Sequence, residues 1–144
     1  MFLSFLNRNS MEAKDLLKKH RLSKTEIRMD LLNLFLGASS ALSLSALSEE
    51  LHRFDRATIY RSLKKFESKG IIHSIHADSL SPHYALCGTT CSEHEHHHSH
   101  AHLHCTECSS VTCENVDLSQ YRKLPGFDVK EAELILRGVC NSCQ

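Results

Sequence analysis

Three absences narrow what this 144-residue chain can be. It has no apolar run near the ~20 residues that a bilayer-spanning helix needs. Its first ten residues, MFLSFLNRNS, carry neither the basic start nor the small-residue cleavage site of a secretory leader. A cytosolic protein without a membrane partner is therefore expected. Nor is there an even number of cysteines: there are seven, so disulfides cannot use them all. In a reducing compartment, clustered cysteines point to metal instead. Net charge is also absent, with 17 Lys and Arg against 17 Asp and Glu. A hydrophobic content of 41% still argues for a folded globular protein. At this length it is one domain, or two small ones whose cores need a staple.

The zero net charge hides an asymmetry. Residues 1–86 hold thirteen Lys and Arg against nine Asp and Glu, and residues 87–144 hold four against eight. A basic half favours an anionic partner, and an acidic half rich in metal ligands favours cations. The ligands concentrate at residues 94–108, HEHHHSHAHLHCTEC, which contain seven of the twelve histidines and two of the cysteines. Imidazole and thiolate are good ligands for zinc and its first-row neighbours.

Along the chain, residues 11–20 read as a short amphipathic helix. Ser23-x-x-Glu26 is a capping-box signal for a second, whose Ile27, Leu31, Leu34 and Phe35 form one apolar stripe ending at Gly37. Ser45 is placed to cap a third short helix, with Leu47 and Leu51 turned inward. Asp55 caps a fourth that runs to about Lys69, with Gly70 as its stop. In this fourth helix Ile59, Leu63 and Phe66 share a face. Thr58, Arg61 and Lys65 point the other way, with Ala57 and Lys64 near them and Tyr60 at the margin. A helix with a core face and an Arg/Lys/Thr face, preceded by a short helix, is what a helix-turn-helix offers to a major groove. After Gly70 the period changes to two. Strands are expected at residues 71–75 and 82–87, so the order is that of a winged helix. Residues 88–99 read as a hinge. Further strands are expected at 100–105, 111–116 and 132–140, with a short helix or loop at 118–127. The fold class is thus α+β: a winged helix-turn-helix at 1–87 and a small α/β unit at 100–144.

Cys105, Cys108, Cys140 and Cys143 form two Cys-x-x-Cys knuckles. Each knuckle presents two sulfurs to one ion, and two complete a closed tetrahedral site. Such a site is structural. Zinc contributes roughly 10–16 kcal/mol of apparent binding free energy in small zinc-finger peptides, comparable to the stability of a whole domain. On a strand, His98, His100, His102 and His104 would lie on one side and Ala101, Leu103 and Cys105 on the other. The imidazoles and the sulfur knuckle then face different ions.

These motifs resemble the ferric-uptake regulator superfamily of bacterial metal-sensing repressors over about residues 11–144. Four features carry the resemblance: T-x-x-R-x-x-L-L from Thr25, A-T-I-Y-R-S-L from Ala57, H-x-H-L-x-C-x-x-C from His100, and the terminal Cys140-x-x-Cys143. It implies a homodimer that binds double-stranded DNA, with the C-terminal unit serving for dimerisation and one structural zinc per subunit. Arg61, Tyr60 and Thr58 would make groove contacts, and Lys64, Lys65 and Arg56 mainly phosphate contacts. Arg56 stands where the family is usually apolar.

The resemblance also implies a regulatory metal. Iron-type members use mainly histidine and carboxylate, yet here Ala101 replaces the usual carboxylate and Ser43 a frequent histidine. Residues 70–73 and 84–87 are instead similar to the zinc-uptake branch. The regulatory ligands implied are His73, Cys87, His100 and His102, with His98 and Cys91 as substitutes and Cys113 or Glu114 near a further carboxylate position. A thiolate favours zinc over ferrous iron. Iron or peroxide sensing is the rival within the family. A His-rich metal buffer or chaperone is a rival of another class, and it leaves the helix of residues 57–63 unexplained. A zinc deaminase is excluded because no histidine has Glu two residues later and no proline precedes either knuckle.

Overall fold

No glycine or proline interrupts the first 36 residues, and the chain opens with a long helix, α1 (Phe2–Lys19). It begins well before the residue 11 expected from amphipathicity. This computed structural model describes residues 2–77, 81–88, 100–121, 123–129 and 132–144. Ala13 and Leu17, one turn apart, are buried. Lys18 and Lys19 occupy the last turn of α1, where cations suit the carbonyl end of the helix dipole.

Helix α2 (Glu26–Gly37) starts at Thr25, which makes no side-chain cap. The expected Ser23–Glu26 capping box is therefore not formed. Both partners are engaged elsewhere: Arg28 donates to the Ser23 hydroxyl at 2.6 Å, and Glu26 pairs with Arg53 at 3.0 Å. Arg53 also pairs with Asp30, which ties α2 to the turn before the fourth helix. Strand β1 (Leu42–Ser43) leads into α3 (Leu44–Glu50). Ser43, not Ser45, caps α3, accepting from the Ala46 N–H at 3.1 Å. Its extended backbone, at the end of β1, is the conformation an N-cap requires.

Helix α4 (Arg56–Ser68) is capped by Asp55, which accepts from the Thr58 N–H at 2.9 Å. Ile59, Leu63 and Phe66 are fully buried in the main core with α1 to α3. Gly70 ends the helix at φ +69°. There the Ile71 N–H reaches back to the Phe66 carbonyl, a closure that needs the left-handed conformation glycine adopts freely. Strands β2 (Ile72–Ile75) and β3 (His83–Leu86) then pair antiparallel, and β1 joins them in the order β1-β3-β2. This is a winged helix-turn-helix.

The second sheet has the order β5-β4-β8, from β4 (His100–Cys105), β5 (Val111–Asn115) and β8 (Leu134–Gly138). Strands β4 and β5 are antiparallel, whereas β4 and β8 are parallel. The expected helix or loop at 118–127 is a 3-10 turn at Ser119–Tyr121 followed by a small hairpin, β6 (Lys123–Leu124) and β7 (Phe127–Asp128). Pro125 and Gly126, the latter at φ +76°, form its turn, the pairing a type II turn demands. From residue 100 onward, the buried apolar side chains among the described residues are Ala101, Cys105, Val111 and Leu118. That is a slight core for a folded unit, which is why a metal staple matters there. A second small core of Ile75, Ala77 and Val111 joins the wing to this sheet. The Ala41 N–H donates to the Val111 carbonyl at 2.7 Å, and Arg137 donates to the Ala77 carbonyl at 2.7 Å.

Candidate metal centres and nucleic-acid face

Parallel pairing of β4 with β8 sets Cys105 opposite Gly138, so Cys140, two residues beyond the end of β8, comes beside Cys105, and its N–H donates to the Cys105 sulfur at 3.3 Å. The knuckle Cys105–Cys108 is a tight turn, with Ser109 at φ +59° and its N–H bonded to the Cys105 carbonyl. The four sulfurs of Cys105, Cys108, Cys140 and Cys143 all lie within 4.8 Å of one another, and none of the described cysteines forms a disulfide. Cys108 and Cys140 are 3.8 Å apart at sulfur. Around one tetrahedral zinc, Zn–N of about 2.0–2.1 Å and Zn–S of about 2.3 Å put two sulfurs roughly 3.8 Å apart, N and S roughly 3.6 Å and two nitrogens roughly 3.3 Å. The sulfur cage fits that ion. Its protons are unevenly held. Backbone N–H groups at Cys108 and Cys140 pull the Cys105 thiol down to about 6, while contact with the Cys140 and Cys108 sulfurs pushes Cys143 up to about 12. Four sulfurs this close cannot all be thiolates unless a cation sits among them.

A second cluster lies where the wing meets β4 and β5. Register places His102 directly opposite Cys113, and His100 follows on the same face two residues away. His73, on β2, approaches from the wing. His100 Nε2 is 3.2 Å from His73 Nε2. Cys113 Sγ is 3.8 Å from His73 Nε2 and 3.6 Å from His102 Nδ1. The ligand atoms of His73, His100, His102 and Cys113 lie within 4.8 Å of one another, and the separations are again the edges of one zinc tetrahedron. Burial lowers His100 below the ordinary imidazole range. Burial and the neighbouring His100 bring His102 to about 4. Both rings are thus neutral at pH 7, with a lone pair to give. Burial raises the Cys113 thiol, and a metal would have to displace that proton to bind sulfur.

Of the other residues expected here, Cys87 stands 3.7 Å from His73 Nδ1, the nitrogen on the far side of the ring. One imidazole cannot give both nitrogens to a single ion, so Cys87 and Cys113 flank His73 from opposite sides. The geometry groups Cys113 with the three histidines, and Cys87 outside them. Glu114 pairs with Ala101, so strand alternation puts it on the opposite face from His102 and Cys113. His98 and Cys91, with His94, His96 and His97, lie outside the described residues. His104 is left with both ring nitrogens buried and without a hydrogen-bond partner. Two titratable residues of the cavity beside the cluster were not singled out in the sequence. His76 and Glu133 line about 270 Å³ of space together with His73, His100 and His102. No spacing rule links Glu133 to the histidines; the β4–β8 pairing does.

On α4, Arg56, Tyr60, Arg61, Lys64 and Lys65 are exposed. Thr58 is half-buried, and its hydroxyl serves the cap, 2.6 Å from Asp55 Oδ2, while accepting from Arg61 at 3.0 Å. Lys64 pairs with Glu67 at 2.8 Å, which raises its pKa.

The family model described as the ferric uptake regulator family matches residues 19–137. The chain belongs to the ferric uptake regulator family. A ferric uptake regulation protein from Staphylococcus aureus is 28% identical over 144 residues, covering 94% of this chain and 98% of that protein. Among solved structures, the ferric uptake regulator from Francisella tularensis with iron is 26% identical, with a TM-score of 0.62 over 85% of this chain and 94% of that one. A zinc uptake regulator complexed with zinc and DNA superposes at 0.69 over 96% of this chain and 94% of that one; at 20% identity the likeness is one of fold. Members of this family are metal-responsive transcription regulators. Among the described residues, no helix is long and apolar enough to cross a membrane.

Proposed function

We propose that this family member is a cytoplasmic, homodimeric, zinc-dependent repressor of metal-uptake genes, not an enzyme. The observation that carries the choice of metal is the donor set His73, His100, His102 and Cys113. Among the described residues it holds three imidazoles and one thiol and no carboxylate, with separations that match a zinc tetrahedron. A thiolate moves such a site toward zinc and away from ferrous iron. Iron sensing is the second reading, and its support is the name of the Staphylococcus aureus relative.

Bound zinc would supply one cross-link between the wing and the second sheet. The residues do the rest. His73 carries the position of β2, and with it the whole winged helix, to His100 and His102 on β4. With that link made, the recognition helices of the two subunits keep one separation, which a two-fold operator matches. Arg61 and Tyr60 then meet base edges, and Arg56, Lys64 and Lys65 neutralise phosphates. Thr58, occupied by the cap, contributes to the groove through its methyl group. Residues 1–87 act as the DNA-binding unit, 88–99 (all but Gly88 outside the described residues) as the hinge and 100–144 as the dimerisation unit, with Cys105, Cys108, Cys140 and Cys143 holding one structural zinc per subunit.

The test is fluorescence anisotropy of a palindromic promoter probe at fixed salt, titrated with Zn²⁺ and, anaerobically, with Fe²⁺. Zinc should tighten binding at least tenfold, and Cys113→Ser should remove most of that gain while leaving the protein folded. Tightening by Fe²⁺ alone would give the iron reading; indifference to both metals would sink the sensor.

A further inference from the structure

A neutral imidazole has one lone-pair nitrogen and one N–H. His102 turns Nδ1 toward Cys113 at 3.6 Å, so the nitrogen left to carry the proton is Nε2. His102 as a whole is only 3% exposed, and it lines the cavity that Glu133 also lines. An N–H so largely shielded from solvent calls for an acceptor within the protein. The group facing Nε2 is the carboxylate of Glu133, 4.0 Å away. Glu133 lies just before β8. Its position follows from the parallel register, in which Ile135 pairs with His102: two residues earlier on the same face comes Glu133, beside His100. Its side chain is 41% exposed, so it has room to close the remaining ångström without disturbing the core.

We propose that Glu133 is the positioning residue of the second metal centre: it accepts the Nε2–H of His102 and thereby holds Nδ1 as the metal-binding nitrogen. The carboxylate faces the nitrogen that diverges from Cys113, so it acts through the ring and is not itself a ligand. An acceptor on the remote N–H fixes the tautomer and makes the ligating nitrogen more basic, and removing one typically costs 10–100-fold in metal affinity. The role rests on the reading of His73, His100, His102 and Cys113 as a regulatory site. It also gives β8 a part in that site, through a residue that neither knuckle nor histidine ladder contains.

The experiment uses the full-length protein, comparing wild type, Glu133→Ala, Glu133→Asp and Cys113→Ser. Zinc affinity is read by competition with a chromophoric chelator, ligand type by the absorption of the Co²⁺-substituted site, and the His102 tautomer by ¹⁵N NMR of the ring. Expected results are a 10–100-fold loss of affinity at the second site in Glu133→Ala and partial recovery in Glu133→Asp. The thiolate-to-cobalt band should be unchanged, and the preference of His102 for Nε2–H should be lost. Wild-type protein that binds zinc only at the cysteine cage would overturn the regulatory reading and this role with it. Two zinc ions per chain, with affinity and tautomer indifferent to Glu133→Ala, would overturn this role alone. A changed cobalt coordination spectrum in Glu133→Ala would also overturn it, by making Glu133 a ligand.

Discussion

Single side chains decide both ends of this molecule's chemistry. At the proposed DNA end, Asp55 caps α4 and keeps Thr58 in place through two hydrogen bonds. Those bonds hold its carboxyl below the ordinary value of 3.8. The sign follows: a carboxylate depressed in the folded state stabilises fully above pH 3.8, and that stability disappears as pH falls through the lower folded value. Asp55→Ala should therefore melt at a lower temperature than wild type at neutral pH, with the gap shrinking steadily below pH 4, as read by thermal circular dichroism. A constant gap would mean that packing, not the charged cap, is lost. At the metal end, Cys113 was legible only as a doubtful alternative, because its pairing with His102 depends on where the turn after Cys108 closes. The serine caps misread at Ser23 and Ser45 have a similar cause. A serine signals that a cap is available, but the extended backbone that selects Ser43 comes from pairing with the distant β3.

Strand β4 serves two sites at once. Its first half gives His100 and His102 to one candidate centre, and its last residue gives Cys105 to the other. Period-two alternation made the imidazole face visible in the sequence, and the Cys-x-x-Cys spacing made the cage visible. What spacing could not show is that β8 runs parallel to β4, bringing Glu133 alongside the histidines. Parallel partners are joined by long connections that leave no short-range signal. The two centres should fail differently. Cys140→Ser opens the cage that ties β8 to β4, in a unit with few buried apolar residues, and zinc site and fold are coupled in such units. It should abolish cooperative melting of the second sheet and expose it to protease, while the winged helix, with its own core, keeps its helical signal. Cys113→Ser should leave both melting and protease resistance intact. Equal damage from the two would show that the chain has one metal-dependent unit, not two.

At the scale of the whole molecule, the winged helix is not a loose appendage. Ile75, Ala77 and Val111 form a joint, with backbone and Arg137 hydrogen bonds across it, and the second centre sits over that joint. A metal there need only bias an existing contact, not create one. Among the described residues, the large exposed apolar side chains are Met11 and Tyr60, with six more after residue 115: Val116, Tyr121, Leu124, Phe127, Leu136 and Val139. Apolar side chains gathered on one unit mark an association surface, and two-fold association sets the separation of two recognition helices. Phe127 is 70% exposed in the single chain, so a charge there costs the monomer little but would be buried, unpaired, in the proposed dimer. Phe127→Asp should sediment as a monomer with an unchanged circular dichroism spectrum and zinc content at the cage. Its affinity for a palindromic operator should fall at least 100-fold, toward that for a half-site. If Phe127→Asp stays dimeric, the interface lies elsewhere on the sheet, and Leu136→Asp becomes the substitution that locates it.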